Sequence, residues 1–373
     1  MRKIRVLIVD DAVVIRRIVS DVLAEDPEIE VAGVAANGRI ALSKIPQVNP
    51  DLITLDVEMP EMNGLETLAE IRKIYPTLPV IMFSTLTERG GAATLEALAL
   101  GATDYVTKPA NVGSVNLAKQ RVRDELIQKI KIFCAKAVGL KSPETLAPLV
   151  PKPSVARPVI TIPKAALGIV QRVDILTIGV STGGPNALAD LMPVFPANFP
   201  VPIVIVQHMP PFFTKLLAER LSSKSSIKVM EGAAGAVLKP GGAWIAPGNY
   251  HMVLERKNNQ VSLLTNQDPP ENSCRPAVDV LFRSVARLYG PNCMGVVLTG
   301  MGQDGLIGSE HICDAGGRVW AQDEASSVVW GMPGFVARAG LAEKILPLNQ
   351  IGQEIVRRVN ESRNLTASFS QKN

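Results

Sequence analysis

Short apolar runs alternate with amphipathic stretches through the first 125 residues, and this alternation leaves the chain few folds to choose from. Ile4–Val9, Ile29–Val34, Leu52–Leu55, Val80–Phe83 and Asp104–Val106 read as strands. Windows such as Val14–Leu23 and Leu65–Ile74 read as helices between them. Strands this uniformly apolar belong in a parallel sheet covered on both faces. Five such repeats predict a doubly wound α/β domain, whose loops beyond the strand carboxyl ends form the working edge. The pattern resumes near Val173. Strands are expected at Ile175–Val180, Val201–Gln207, Ala243–Ala246, His251–Leu254, Val261–Leu264, Met294–Thr299 and Arg318–Ala321. Helices are expected at Ala187–Met192, Thr214–Leu221, Ala277–Leu288 and Gly305–Ala315. This is a second, mainly parallel α/β domain with an antiparallel patch within 243–264.

Between the two domains, Ser142 to Pro163 holds six prolines, which forbid a continuous helix and make a stiff, extended connector. Residues 107–172 carry twelve Lys/Arg against three Asp/Glu, in a chain whose net charge is +4. That excess sits on one helix and the connector, and aromatic residues are only 4% of the chain, so it reads as a solvated segment and not as a nucleic-acid surface. The expected division is 1–125, a helix end and linker over 126–172, a second domain over 173–365, and a disordered tail over 366–373. Every long apolar run is cut by charge or proline before the roughly 18 residues that a bilayer span needs. The start, Met1-Arg-Lys-Ile-Arg5, leads directly into a strand and is not read as a secretory leader. Four cysteines without a C-x-x-C pair and only three histidines argue against zinc. Reduced thiols and a cytoplasmic location are the expectation.

Asp10 and Asp11 follow the first strand and Asp56 closes the third. Neighbouring strands in a doubly wound sheet bring these carboxylates into one crevice. Three carboxylates so close repel one another unless a cation neutralises them. With oxygen donors alone, the matching ion is a hard one, magnesium first. Lys108 adds a mobile positive charge suited to a phosphate oxygen, and Ser84 adds a hydroxyl at the same edge. Each residue alone reads as a cap, turn or surface residue; the conjunction at four strand ends is what points to chemistry.

Residues 1–125 resemble the receiver domain of two-component response regulators. The resemblance rests on Val9-Asp10-Asp11, Leu55-Asp56, Glu58-Met59-Pro60, Asn63-Gly64, Ser84 and Thr107-Lys108-Pro109. It implies a flavodoxin-like fold in which Asp56 takes a phosphoryl group from a histidine kinase. It further implies magnesium held by Asp11, Asp56 and the backbone carbonyl of Glu58, with Asp10 in support and Ser84 and Tyr105 as switch residues.

A second centre lies at Ser181. It follows the buried-type strand Ile175–Val180 and precedes Gly183-Gly184-Pro185, which lead into a helix. A serine at a sharp strand-to-helix turn is exposed, and Gly179-x-Ser181-x-Gly183 has the spacing of a nucleophile elbow. The same turn could bind phosphate, but no P-loop lysine follows. Of the three histidines, His208 ends the next strand and emerges at the same edge. His251 lies in a hairpin-like segment and His311 within a helical pattern. Asp304, in the exit loop of Val296-Val-Leu298, is placed to reach His208 Nδ1; its bland role is a helix cap.

Residues 173–365 resemble the catalytic domain of chemotaxis protein-glutamate methylesterases. The matching segments are Ile178-Gly-Val-Ser181-Thr-Gly-Gly184, Gln207-His208-Met-Pro210, Pro247-Gly-Asn249, Arg275-Pro276 through Asp279, Leu298-Thr-Gly-Met301-Gly-Gln-Asp304-Gly305 and Ala321-Gln-Asp-Glu324. The resemblance implies a Ser181–His208–Asp304 triad, with Thr182 helping to orient the histidine. Backbone N–H groups near Met301 are the expected oxyanion hole. It implies a cofactor-free esterase that acts on glutamyl methyl esters of chemoreceptor cytoplasmic domains and deamidates receptor glutamines. The unphosphorylated receiver would restrain it. Some relatives carry histidine where Cys274 stands, which bears on the substrate groove only. No nucleic-acid partner, no membrane insertion and a monomer are expected. The rival reading is a non-catalytic, phosphorylation-dependent binding module in which Ser181 and its glycines form an anion- or peptide-binding turn.

Overall fold

The computed structural model describes residues 2–108, 115–138 and 171–370. The proline-rich connector expected at 142–163, Pro109 and the last three residues lie outside the described residues. The chain divides into two compact units, Met1–Leu146 and Ala147–Asn373.

The first unit runs β1 (Ile4–Val9), α1 (Val13–Ala24), β2 (Ile29–Ala35), α2 (Gly38–Val48), β3 (Leu52–Asp56), α3 (Gly64–Ile74), β4 (Val80–Ser84), α4 (Glu88–Ala99), β5 (Asp104–Thr107) and α5 (Val115–Val138). Its strands pair in parallel in the order β2-β1-β3-β4-β5. The winding reverses between β1 and β3, which makes the crevice above them the natural binding point. The chain leaves β3 through a short loop closed by a capping box. Asn63 accepts from the Glu66 N–H at 2.9 Å, and Glu66 accepts from the Asn63 N–H at 3.0 Å. The core runs past the boundary expected at 125: Val122, Leu126, Ile130 and Cys134 of α5 are buried with Ile4, Leu52 and Phe83. Their spacing of four residues puts all four on one face of the helix.

The second unit comprises β6 (Ile175–Val180), α6 (Gly184–Leu191), β7 (Ile203–Gln207), α7 (Phe213–Lys224), β8 (Lys228–Glu231), β9 (Gly242–Ile245), β10 (His251–Lys257), β11 (Gln260–Asn266), α8 (Val278–Tyr289), β12 (Cys293–Val297), α9 (Leu306–Asp314), β13 (Arg318–Gln322), α10 (Met332–Arg338), β14 (Lys344–Leu346) and α11 (Leu348–Ser370). Seven strands form a parallel sheet in the order β14-β13-β12-β6-β7-β9-β8. All six residues of β6, at its centre, are buried. The antiparallel patch is narrower than expected. Only β10 and β11 form it, as a separate ribbon, whereas β9 pairs in parallel with β7. Strands β8 and β14 were not legible because each is short, mixed in polarity and at a sheet edge. Helix α11 continues to Ser370, where a disordered tail was expected from 366. Among the described residues no helix is long and apolar enough to cross a membrane.

Candidate active site

In the first unit, the carboxylate oxygens of Asp10, Asp11 and Asp56 lie within 4.8 Å of one another. Asp10 and Asp56 are buried; Asp11 is exposed. Lys108 Nζ reaches Asp56 Oδ2 at 2.7 Å and Asp10 Oδ2 at 2.9 Å. Burial, and then the Asp10 charge, raise the Asp56 carboxyl to about 6 against the pull of Lys108. One lysine cannot balance three carboxylates, and the donors are all oxygen, so the cluster fits a hard divalent cation such as magnesium. A cleft of about 520 Å³ opens beside Asp11, lined by Glu58, Asn63, Arg89 and Ala93 among others. Arg89 Nε stands 3.4 Å from Glu58 Oε1. The Ser84 hydroxyl, fully buried, donates to Gly90 O at 3.0 Å. Tyr105 is buried under Lys129, whose Nζ is 5.3 Å from the ring centroid.

The second unit assembles its site from the exits of three adjacent strands. Parallel register pairs Val180 with Gln207, so the next residues on each strand, Ser181 and His208, emerge side by side. The His208 N–H donates to Val180 O at 3.2 Å. On the other flank, the Ser181 N–H donates to Thr299 O at 3.0 Å and the Leu298 N–H to Gly179 O at 2.9 Å, which brings the β12 exit loop against the serine. Neighbouring strands lie about 4.8 Å apart, so Ser181 and His208 leave adjacent strand ends. No hydrogen bond joins the Ser181 hydroxyl to His208 among the described residues. Glycine is required nearby: a Cβ on Gly300 would lie 2.8 Å from Ser181 Cβ, and Gly183 adopts φ +77° at the start of α6.

His208 Nε2 donates to Asp304 Oδ2 at 2.7 Å. The sequence placed Asp304 against Nδ1. The structure reverses the ring, because the carboxylate approaches from the β12 side while Nδ1 faces Cys274 Sγ at 3.5 Å. Asp304 is buried and rigidly held. Oδ2 also accepts from the Val278 N–H at 2.6 Å, and Oδ1 accepts from the N–H groups of Asp279 (2.9 Å) and Gly305 (3.0 Å) and from Asn272 Nδ2 (3.1 Å). Burial alone would raise this carboxyl; the bond from His208 and the backbone donors hold it below the usual carboxylate range. Burial also disfavours a charged His208, but the Cys274 sulfur and then Asp304 outweigh it and raise the imidazole to about 10.

Thr182 is buried, and its carbonyl accepts from Thr299 Oγ1 at 2.9 Å; no hydrogen bond links its hydroxyl to His208 among the described residues. The Gly300 N–H is taken by Val329 O at 3.0 Å, whereas the Met301 N–H has no acceptor among the described residues. The other histidines are structural in their contacts. His251 is buried between Pro269 O and the Ala277 N–H, and His311 bonds Ile307 O within its own helix.

Three residues around this site were given no role by the sequence, although Gln207 and Asp279 lie within its matched motifs. Gln207 Nε2 donates to the carbonyls of both Ser181 (3.0 Å) and His208 (3.1 Å), tying the two turns together. Asp279 accepts from the Gly305 and Gly308 N–H groups at the start of α9, and Asn272 Nδ2 bridges Asp279 Oδ2 to Asp304 Oδ1. Burial and the Asp304 charge raise Asp279 to about 6. The available signal was polarity out of place: a Gln ending an apolar strand, and an Asp on the buried stripe of α8.

The comparisons with known proteins bear on the family of the chain. The family model for CheB methylesterase matches residues 176–355, and that for the response regulator receiver domain matches residues 6–119. A protein-glutamate methylesterase/protein-glutamine glutaminase of Trichodesmium erythraeum is 59% identical over 359 residues, covering 96% of this chain and 100% of that protein. One of the same name from Thermotoga maritima is 42% identical over 355 residues, covering 95% and 98%. The crystal structure of the Thermotoga maritima CheB methylesterase catalytic domain aligns with a TM-score of 0.49 at 43% identity, covering 50% of this chain and 98% of that one. The chain therefore belongs to the CheB family, in which a response regulator receiver domain precedes a methylesterase domain.

Proposed function

We propose that this chain is a phosphorylation-regulated serine esterase that removes methyl groups from glutamate methyl esters of chemoreceptors, and that it deamidates receptor glutamines by the same acyl chemistry. The observation that carries the reading is the delivery of a hydroxyl, an imidazole and a carboxylate by the exits of β6, β7 and β12, with His208 locked to Asp304 at 2.7 Å. Ser181 Oγ attacks the ester carbonyl. Asp304 occupies Nε2, so Nδ1 is the nitrogen that takes the serine proton and returns it to the departing methoxide. The Met301 N–H is the oxyanion donor in this scheme. Water then releases glutamate from Ser181. With a glutamine substrate the leaving group is ammonia.

In the receiver, Asp56 is the acceptor for a phosphoryl group from a chemotaxis histidine kinase. Asp11, Asp56 and the Glu58 carbonyl would hold magnesium, which when bound neutralises charge on the transferring group. Lys108 supplies the fixed cation. The enzyme acts in the cytoplasm, as a monomer, on the receptors' cytoplasmic domains.

Methanol release from methylated receptor membranes, with and without a small phosphodonor, tests the reading. Coupling of about 1–3 kcal/mol, roughly 5–150-fold, is usual between linked sites. A rise of that order is expected for the wild type and none for Asp56→Asn. Absence of methanol, together with failure of a serine-directed phosphonate to label Ser181, would favour the binding-module reading.

The pH dependence has a definite sign. His208 must be neutral to accept a proton, and its raised value means that the neutral fraction grows only as pH climbs toward about 10. We expect kcat/KM of the free enzyme to rise along an acid limb above the ordinary imidazole range near 6.5. Cys274→Ala removes the leading upward pull and moves that limb to lower pH. An unmoved limb would show that the sulfur does not act on the base.

A further inference from the structure

Ser181 is not the only nucleophile beside the base. Asp304 anchors the imidazole at Nε2, and the remaining nitrogen, Nδ1, faces the Cys274 sulfur at 3.5 Å. A nucleophile within reach of a base that a third group orients is the arrangement that activates hydroxyls and thiols alike. Cys274–His208–Asp304 meets that description in the structure as it stands. The loop keeps the sulfur there. Glu271 and Cys274 exchange backbone hydrogen bonds of 2.8 and 3.1 Å, and Asn272 and Ser273 between them adopt φ of +50° and +61°. Asn272 is itself tied to Asp279 and Asp304, which links the cysteine loop to the carboxylate.

The other thiols provide a contrast within the same chain. Among the described residues the Cys134, Cys293 and Cys313 thiols hydrogen-bond to backbone carbonyls, of Asp51, Gly290 and Leu341 respectively. Burial pushes them up to about 12, 12 and 11. Among the described residues none has a hydrogen bond to an imidazole. Cys274 has one, and it is only partly buried.

We propose that Cys274 is a modification site for peroxides, and that its oxidation turns the esterase off; the regulatory half of this inference rests on the function proposed above. From the neutral imidazole state, the same state that serves Ser181, the thiol proton passes to His208 Nδ1 and leaves an imidazolium beside the thiolate. The sulfur then attacks one peroxide oxygen, the S–O bond forms as the O–O bond breaks, and hydroxide leaves to be protonated to water. The sulfur is oxidised by two electrons to a sulfenic acid, and the peroxide is reduced. The added oxygen stands between the sulfur and Nδ1, where it denies Ser181 its proton acceptor. A dithiol returns the thiol.

The test treats the full-length protein with hydrogen peroxide and reads two things: dimedone capture located by peptide mass, and methanol release from methylated receptor membranes. Dimedone is expected on Cys274 and not on Cys134, Cys293 or Cys313. Turnover is expected to fall by roughly a hundredfold, the scale of losing a general base, and to recover with dithiothreitol. Cys274→Ala and Cys274→Ser, each referred to its own untreated rate, should lose little on treatment. An unlabelled Cys274 overturns the modification site. An equal loss in both variants, unrecovered by dithiothreitol, overturns the regulation and points to methionine oxidation. A reduced, untreated enzyme that releases no methanol counts against the esterase function alone, since capture at Cys274 is scored without turnover.

Discussion

Replacing Ser181 with alanine is expected to lower methanol release from methylated receptor by roughly 10,000-fold or more, the scale seen when a serine nucleophile is removed from a triad. Phosphoryl uptake, proposed for Asp56, is expected to stay at the wild-type rate, because that residue belongs to the other unit. Folding is barely affected: the Ser181 hydroxyl makes no hydrogen bond among the described residues, and its backbone bonds to Thr299 and Gly184 survive the change. A change in stability within about 0.5 kcal/mol is expected. A thermal melt beside the turnover assay thus separates lost chemistry from lost structure. Turnover within tenfold of wild type, with an unchanged melt, would remove Ser181 from the reaction.

Asp304→Asn is expected to cut turnover by roughly 1,000- to 10,000-fold and to lower the melting temperature as well. The two effects have separate origins. The carboxylate charge fixes the imidazole through Nε2 and stabilises the imidazolium once Ser181 has given up its proton. An amide supplies neither the charge nor a second acceptor. Its NH₂ must also face at least one of the Val278, Asp279 or Gly305 N–H groups now satisfied by carboxylate oxygens. A buried donor left unpaired costs about 1–3 kcal/mol. Asp304→Asn should therefore melt early where Ser181→Ala does not. Full activity in Asp304→Asn would mean that another group orients His208.

The sheet strands and the gathering of the candidate side chains at strand ends were legible in the sequence for one reason. Buried parallel strands are almost purely apolar, so their ends announce themselves, and residues such as Asp56, Ser181 and His208 stand at those ends. Ring orientation was not legible. Which nitrogen of His208 meets Asp304 depends on the side from which the β12 exit loop arrives, a matter of three-dimensional packing that spacing does not encode. The clamp of Asn272, Asp279 and Asp304 was hidden for a related reason, since its members come from a loop, a helix and a strand exit. Cys274 was read as a substrate-groove detail because only the folded loop, with left-handed Asn272 and Ser273, turns its sulfur onto the imidazole.

The order of strands around β6 bears on how activity returns after denaturation. β6 and β7 are joined by a short α/β crossover, but β12, whose exit supplies Asp304, must close a far longer stretch of chain before it docks against β6. Contacts of such long range form late and slowly, because loop closure has to precede them. Regained turnover should therefore lag behind recovery of helical signal in a refolding time course, marking the moment when the last central strand is seated.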